Sequence, residues 1–212
     1  MSSRETVLAR IRAAVADLPP DRADIPRRYL RHAPTDSPDD RAAAVALLTE
    51  RLEEYGAVVH RVGAEELPHA VPRALDDGGA RTAVVPAGLP APWIADWTGT
   101  VHEDSPPLPH TALDAVDAVV TACAVAIAES GTLVLDAGPG QGRRAPTLLP
   151  DLHVCVVRAD QTVSALPEAI GRLDPRRPLT WISGPSATAD IEMIRVQGVH
   201  GPRRLTVVIV GE

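Results

Sequence analysis

The chain has 212 residues, 45% of them hydrophobic, and a formal net charge of −7 from 28 acidic and 21 basic residues. This length and apolar content predict one substantial globular core. The acidic balance excludes nonspecific nucleic-acid binding, which needs surplus positive charge. No segment approaches the ~20 apolar residues of a membrane span, and residues 1–18 are amphipathic rather than a secretory signal. We therefore expect a cytoplasmic protein that binds neither nucleic acid nor membrane.

The N-terminal residues are predicted to form a helical extension and a linker. Ser2 and Glu5 make a capping box, and apolar residues then recur at helical spacing until Pro19-Pro20. The stretch that follows is rich in Pro, Asp and Arg, which is typical of an irregular linker. The predicted division is therefore an extension over residues 1–38 and an α/β domain over residues 39–212.

Helices and strands are predicted to alternate through the rest of the chain, which indicates βαβ units and a parallel sheet. The predicted strands are 57–62, 81–86, 152–157, 179–182 and 205–210. The predicted helices are one from Pro38 to Tyr55, and then 64–75, 112–115 and a helix capped by Ser164 that runs to 173. Residues 118–135 are rich in β-branched side chains, which predicts two strands around a turn at Glu129–Gly131.

The two cysteines are predicted to be buried reduced thiols. Cys123 and Cys155 both lie in apolar surroundings, no CxxC occurs, and two thiols are too few for a zinc or iron–sulfur site. A metal site built from His153, His200 and Asp190 is the weaker alternative, because the separations are long and no local pattern enforces it. We expect no resident cofactor or metal.

Two loops carry candidate chemistry in the first part of the domain. Glu129 opens a tight turn, where its carboxylate is suited to act as a base or nucleophile, or else simply pairs with a nearby arginine. Residues 137–144 hold three glycines and end in Arg143-Arg144, which fits either an anion cradle or a plain flexible loop. The loop lacks the ending of a phosphate-binding P-loop.

A polar run over residues 183–203 lies between two apolar segments, where an α/β protein usually places a site. Ser186 or Thr188 is a natural cap for a short helix that holds Asp190, and capping alone also explains an acid there. His200 stands beside a Gly-Pro turn, suited either to contact a ligand or to hold the loop by a backbone hydrogen bond. His153, at a strand entrance, has the same two interpretations.

Three segments together resemble the lactate utilization protein C family, also called the LUD domain. They are Ala126–Leu135, Leu149–Val157 and Ile182–Arg203, of which the third is the most specific, with Ser-Gly-Pro-Ser-x-Thr-x-Asp-Ile-Glu followed by Gly-Val-His-Gly-Pro. The resemblance extends from about Asp39 to the end. It implies a three-layer, mostly parallel Rossmann-like sheet of the kind found in ribose-phosphate isomerase, glucosamine-phosphate deaminase and CoA transferases, with the site at strand ends.

The resemblance also implies a role in oxidation of L-lactate to pyruvate alongside two iron–sulfur partner proteins. We therefore predict a non-redox or ligand-binding subunit that takes a small carboxylate or phosphate, and leave open whether it has turnover of its own. The alternative is a stand-alone enzyme that uses Glu129 on a phosphorylated sugar or acyl-CoA.

The predicted site is the cleft where the Glu129–Thr132 turn meets residues 183–190 and His200. Glu129 and His200 are the predicted catalytic residues. The residues predicted to bind the ligand are Ser130, Gly131, Thr132, His153, Ser183, Gly184, Ser186, Thr188 and Asp190.

Overall fold

The computed structural model describes residues 2–16, 26, 28–32, 40–188, 196–198 and 200–211. The helices are α1 (Ser3–Val15), α2 (Arg41–Glu54), α3 (Leu67–Asp77), α4 (His110–Asp114) and α5 (Leu166–Arg172). The strands are β1 (Val58–Val62), β2 (Thr82–Val85), β3 (Thr100–Glu103), β4 (Ala118–Ala122), β5 (Val125–Ile127), β6 (Thr132–Leu135), β7 (Leu152–Arg158), β8 (Thr162–Val163), β9 (Thr180–Ile182), β10 (Ala187–Thr188), β11 (Val196–Gln197) and β12 (Arg204–Val210).

Six strands form a parallel sheet in the order β1-β12-β7-β4-β2-β3. A smaller mixed sheet has the order β8-β5-β6-β9, and β10 pairs with β11 in an antiparallel ladder. The predicted α/β class with a mostly parallel Rossmann-like sheet is confirmed, and the five strands predicted individually are correct to within one residue at each end.

The central strands of the parallel sheet are buried on both faces, which makes three layers. Along β7, Val154 and Val156 pack in the cluster that contains α3, whereas Cys155 and Val157 face the cluster that contains α2. The second cluster also includes Leu133 of the smaller sheet, so α2 lies between the two sheets. Burial on both sides explains why β7 and β12 are nearly continuous apolar runs.

The N-terminal helix is confirmed, with its capping box between Ser2 and Glu5, and none of its side chains is buried. The predicted stop at Pro19-Pro20 lies outside the described residues, and the division at residue 38 stays a prediction. Helix α2 begins at Arg41 rather than Pro38, because the carboxylate of Asp40 caps it by accepting the Ala43 N–H at 2.7 Å.

Other predicted elements also differ from the structure: the helix predicted at 64–75 is a 3-10 turn at Ala64–Glu66 followed by α3, and the helix predicted at 112–115 is α4. Residues 118–135 form three strands instead of two: β4 stays in the parallel sheet, and only β5 and β6 make the hairpin around the predicted turn. Helix α5 has Ala165 rather than Ser164 at its N-cap position. Its exposed Leu166 N–H is satisfied by the carboxylate of Glu129 at 3.1 Å, so no local side-chain cap is needed.

Candidate functional site

A cavity of about 500 Å³ lies at the amino ends of β7 and β12. Its walls come from four chain segments that meet there: the start of these two strands, β9 with the turn after it, the turn before β12, and residues 144–148. The lining residues are Arg144, Thr147, Leu148, His153, Thr180, Trp181, Ile182, Ser183, Gly184, Pro185, Ser186, His200, Gly201, Pro202 and Leu205.

His153 lies at the inner end of this cavity, on the second residue of β7. The side chain is fully buried, and its Nε2 lies 2.8 Å from the Oγ1 of Thr121 on neighbouring β4. Burial lowers the pKa of His153 from 6.5 to about 4, so the imidazole is neutral at physiological pH. This is the only hydrogen bond that its ring makes with the described residues, and the other ring nitrogen is left without a partner among them.

The predicted polar run folds back on itself at the cavity rim. The Oγ of Ser186 accepts the backbone N–H of His200 at 3.0 Å, and the Ser186 N–H donates to the Pro202 carbonyl at 2.8 Å. The ladder of β10 and β11 continues from this contact. The backbone of Thr188 lies in that ladder, whereas Asp190 lies outside the described residues. Ser186 therefore bonds the loop to itself instead of capping a helix at its own position.

Gly184 allows the turn after β9 to approach helix α2. Its φ is +82°, in the region that favours glycine, and a Cβ there would lie 2.5 Å from the Cβ of Tyr55. The close approach holds one wall of the cavity against the end of the helix.

The turn at Glu129–Thr132 reaches the same wall from the other side. The Oγ1 of Thr132 lies 2.7 Å from the Oγ of Ser183 and 2.8 Å from the Oγ of Ser130. Antiparallel pairing of β6 with β9 brings these hydroxyls together across 51 positions of sequence. Gly131, with φ of +56°, packs against the backbone of Arg51.

Glu129 does not face the cavity that contains His200. It lines a second cavity of about 450 Å³, together with Ser130, Thr132, Leu166 and Ile170. Among the described residues, Trp181 and Ser183 alone line both cavities. The structure thus brings the predicted turn and loop into contact, but places the two predicted catalytic side chains on opposite sides of that contact. Their catalytic roles stay predictions.

The two adjacent arginines at the end of the glycine-rich loop, Arg143 and Arg144, lie in different surroundings. Arg143 makes a bidentate pair with Asp104, at 2.8 and 2.9 Å, and also donates to the Leu108 carbonyl at 2.6 Å. Burial is the largest single influence on the pKa of Asp104 and opposes its ionisation. The hydrogen bonds from Arg143 and the Leu108 N–H, together with the charge of Arg143, outweigh it and lower the pKa of Asp104. Arg144 instead lines the cavity at the amino ends of β7 and β12.

The cavity includes residues that the sequence analysis did not select. Thr147, Thr180 and Trp181 contribute to its walls, and no sequence pattern marked them because each lies in a short helix or an edge strand. Cys123 and Cys155 are free and buried, as predicted. Within the described ranges, no three His, Cys, Asp or Glu side chains are grouped as metal ligands. None of the described helices is long and apolar enough to cross a membrane.

Comparisons with known proteins agree with the sequence resemblance. The family model described as the LUD domain matches residues 45–210. The chain is 50% identical over 182 residues to lactate utilization protein C of Deinococcus radiodurans, covering 84% of each chain. It is 29% identical over 185 residues to lactate utilization protein C of Halalkalibacterium halodurans, covering 78% of each.

One solved structure is similar over most of the fold. It is described as a DUF162 family protein from Deinococcus radiodurans, with a TM-score of 0.68 and 45% identity, covering 82% of this chain and 100% of that one. Family model, curated relatives and solved structure all match the domain that holds the cavity. This chain therefore belongs to the LUD domain family.

Proposed function

We propose that this chain is a non-redox, ligand-binding component of a cytoplasmic system that oxidises L-lactate to pyruvate together with iron–sulfur partner proteins. The observation that carries the proposal is family membership, with a 50% identical relative named lactate utilization protein C. In this proposal the partners supply the iron–sulfur chemistry, since the two cysteines here are buried in the core. Their free thiols also suit a reducing compartment.

The cavity between β7, β9 and β12 supports a ligand-binding role. It is concave, and polar groups converge on it from separate elements, including the hydroxyls of Ser183 and Ser186 and the imidazoles of His153 and His200. A small number of polar groups that converge on a partly apolar cavity is typical of small-molecule sites. In this proposal Ser130, Gly131 and Thr132 support the wall through the contact of Thr132 with Ser183.

Reconstitution tests the proposed role. Tagged chain is expected to copurify with iron–sulfur proteins from the same organism, and the purified partners are then assayed for L-lactate oxidation with an artificial electron acceptor, with and without this chain. We expect the rate to depend on its addition. Equal lactate oxidation by the partners alone would refute the proposal.

The second candidate is a stand-alone enzyme that acts on a phosphorylated sugar or acyl-CoA through Glu129. The observation in its favour is that this carboxylate is exposed and lines its own cavity of about 450 Å³. The Leu166 N–H donates to one of its oxygens at 3.1 Å. A panel of such substrates is assayed with wild type and with Glu129→Gln. Absence of turnover by the wild type would remove this candidate.

A further inference from the structure

We infer that Arg144 is the carboxylate-binding residue of the cavity at the amino ends of β7 and β12, and that the cavity takes a small monocarboxylate bearing an α-hydroxyl or α-keto oxygen. The choice of acid rests on the proposed function. The place and charge of the subsite rest on the cavity itself.

Arg144 differs from its neighbour in having no acidic partner among the residues that the structure describes. The guanidinium of Arg143 donates hydrogen bonds to the carboxylate of Asp104 and to the Leu108 carbonyl. No side-chain hydrogen bond or ion pair joins Arg144 to any described residue, although it lines the cavity. An arginine that faces a cavity without a carboxylate partner is suited to receive one from a ligand, because its planar fork matches a carboxylate in two parallel hydrogen bonds.

The backbone of Arg144 is nevertheless held in place. Its carbonyl accepts both the backbone N–H of Thr147, at 3.0 Å, and the hydroxyl of that residue, at 2.8 Å. The next residue begins a short 3-10 helix whose Pro146 and Thr147 are buried. A fixed anchor lowers the entropy that the side chain loses when it binds a ligand.

The charge of the cavity also favours an anion. Among the described residues that line it, Arg144 is the only permanently charged one, and neither Asp nor Glu occurs. The chain as a whole carries −7, so the described part of the lining has the opposite sign to the protein. His153 adds a neutral imidazole at the inner end, able to donate or accept one hydrogen bond.

The uncharged polar groups of the cavity, the Ser186 hydroxyl and the imidazoles, favour an acid with a second oxygen on its α-carbon. A carboxylate at Arg144 leaves the second polar atom of an α-hydroxy or α-keto acid to meet the hydroxyl of Ser186 or an imidazole. A cavity of about 500 Å³ is larger than a three-carbon acid needs, so solvent or a group from a partner protein can share it. The recognition chemistry is thus one salt bridge plus hydrogen bonds to one adjacent oxygen.

Binding to the isolated full-length chain tests the inference independently of lactate oxidation. L-lactate, pyruvate, acetate, inorganic phosphate and the uncharged analogue 1,2-propanediol are titrated by calorimetry, with thermal shift as a second readout. Wild type is expected to bind lactate and pyruvate, and to bind propanediol too weakly to measure. Arg144→Gln is expected to weaken lactate binding by about 10- to 100-fold, the value of a charge-assisted hydrogen bond. Arg144→Lys is expected to retain part of the affinity.

Arg176→Gln is the matched control, because Arg176 is 88% exposed and lies outside the lining. It should bind lactate as the wild type does. Equal lactate affinity in wild type and Arg144→Gln would overturn the assignment of Arg144. Phosphate binding tighter than lactate, or no lactate binding at all, would overturn the carboxylate class. Either result leaves the reconstitution assay to decide the proposed function separately.

Discussion

His153 makes the stability of this protein depend on pH in a way that the structure specifies. The imidazole is buried with Thr121 as its partner, and burial lowers its pKa from 6.5 to about 4. As pH falls, the unfolded chain therefore takes up the proton before the folded chain does. The stability due to the neutral imidazole is complete above pH 6.5 and is lost as pH falls towards 4.

The size of the effect follows from the two pKa values. Between pH 7 and pH 5 the free energy of unfolding should fall by roughly 2 kcal/mol through His153 alone, out of about 3 kcal/mol for the whole transition. The carboxylates of Asp104 and Asp117 contribute little in this window. Asp104 and Asp117 have lowered pKa values in the folded chain and titrate mainly below about pH 5 in the unfolded chain.

Urea unfolding at pH 7 and pH 5 measures this difference for wild type and two variants. His153→Asn is expected to be less stable at pH 7, but to lose roughly 2 kcal/mol less than wild type when the pH is lowered. Thr121→Val removes the hydrogen-bond partner and keeps the buried imidazole, so it should retain the pH dependence. The same pH dependence in wild type and His153→Asn would show that His153 is not the group responsible.

Three further predictions concern the frame of the site and the N-terminal helix. Gly184→Ala should lower the free energy of unfolding by about 1–3 kcal/mol, since it adds a Cβ at positive φ against Tyr55. Arg143→Gln should lower it by about 1–3 kcal/mol because the carboxylate of Asp104 loses both of its charged hydrogen bonds. Deletion of residues 2–16 should change it by less than about 0.5 kcal/mol, because α1 buries no side chain. Chemical denaturation measures all three.

Matched control variants test whether these changes in the free energy of unfolding are specific to the contacts described. Gly171→Ala lies in α5 with nothing within 4 Å of the added Cβ, and should be neutral or stabilising. Arg144→Gln should unfold at the same urea concentration as wild type. If Gly184→Ala were as stable as Gly171→Ala, or Arg143→Gln as stable as Arg144→Gln, the packing or pairing described would be incorrect. A large loss on deletion of α1 would mean that this helix docks on the domain.

The two longest strands that sequence analysis identified, β7 and β12, have both faces buried. Residues 152–158 and 204–210 are apolar at nearly every position because α2 and α3 cover opposite sides of the sheet. Strand β3 was missed because Thr100–Glu103 is an edge strand with every residue exposed, so no hydrophobic pattern marks it. The two-residue strand β8 is also too short to carry a pattern.

The contact between the Glu129–Thr132 turn and Ser183 follows from strand pairing, whereas the roles of these residues stay predictions. Ser183 and Thr132 were both selected as polar residues at strand ends, and the pairing of β6 with β9 places their hydroxyls in contact. The position of Glu129 was not predictable, because it depends on the Leu166 N–H, 37 residues away. Likewise, only the distant Asp104 distinguishes Arg143 from Arg144.

The cavity proposed to bind the ligand lies at the amino ends of the parallel strands, because the carboxyl ends are covered by the glycine-rich loop. Open α/β sheets usually bind ligands at the carboxyl ends. Here the glycine-rich loop packs on those ends: Ala122 donates to the Gly140 carbonyl at 2.7 Å, and a Cβ on Gly142 would lie 2.6 Å from the Cβ of Pro86. The glycines are therefore required for close packing, and the arginine on that side, Arg143, is already paired. The next residue of the loop, Arg144, lines the cavity at the opposite end of the sheet, where none of the described lining residues is acidic.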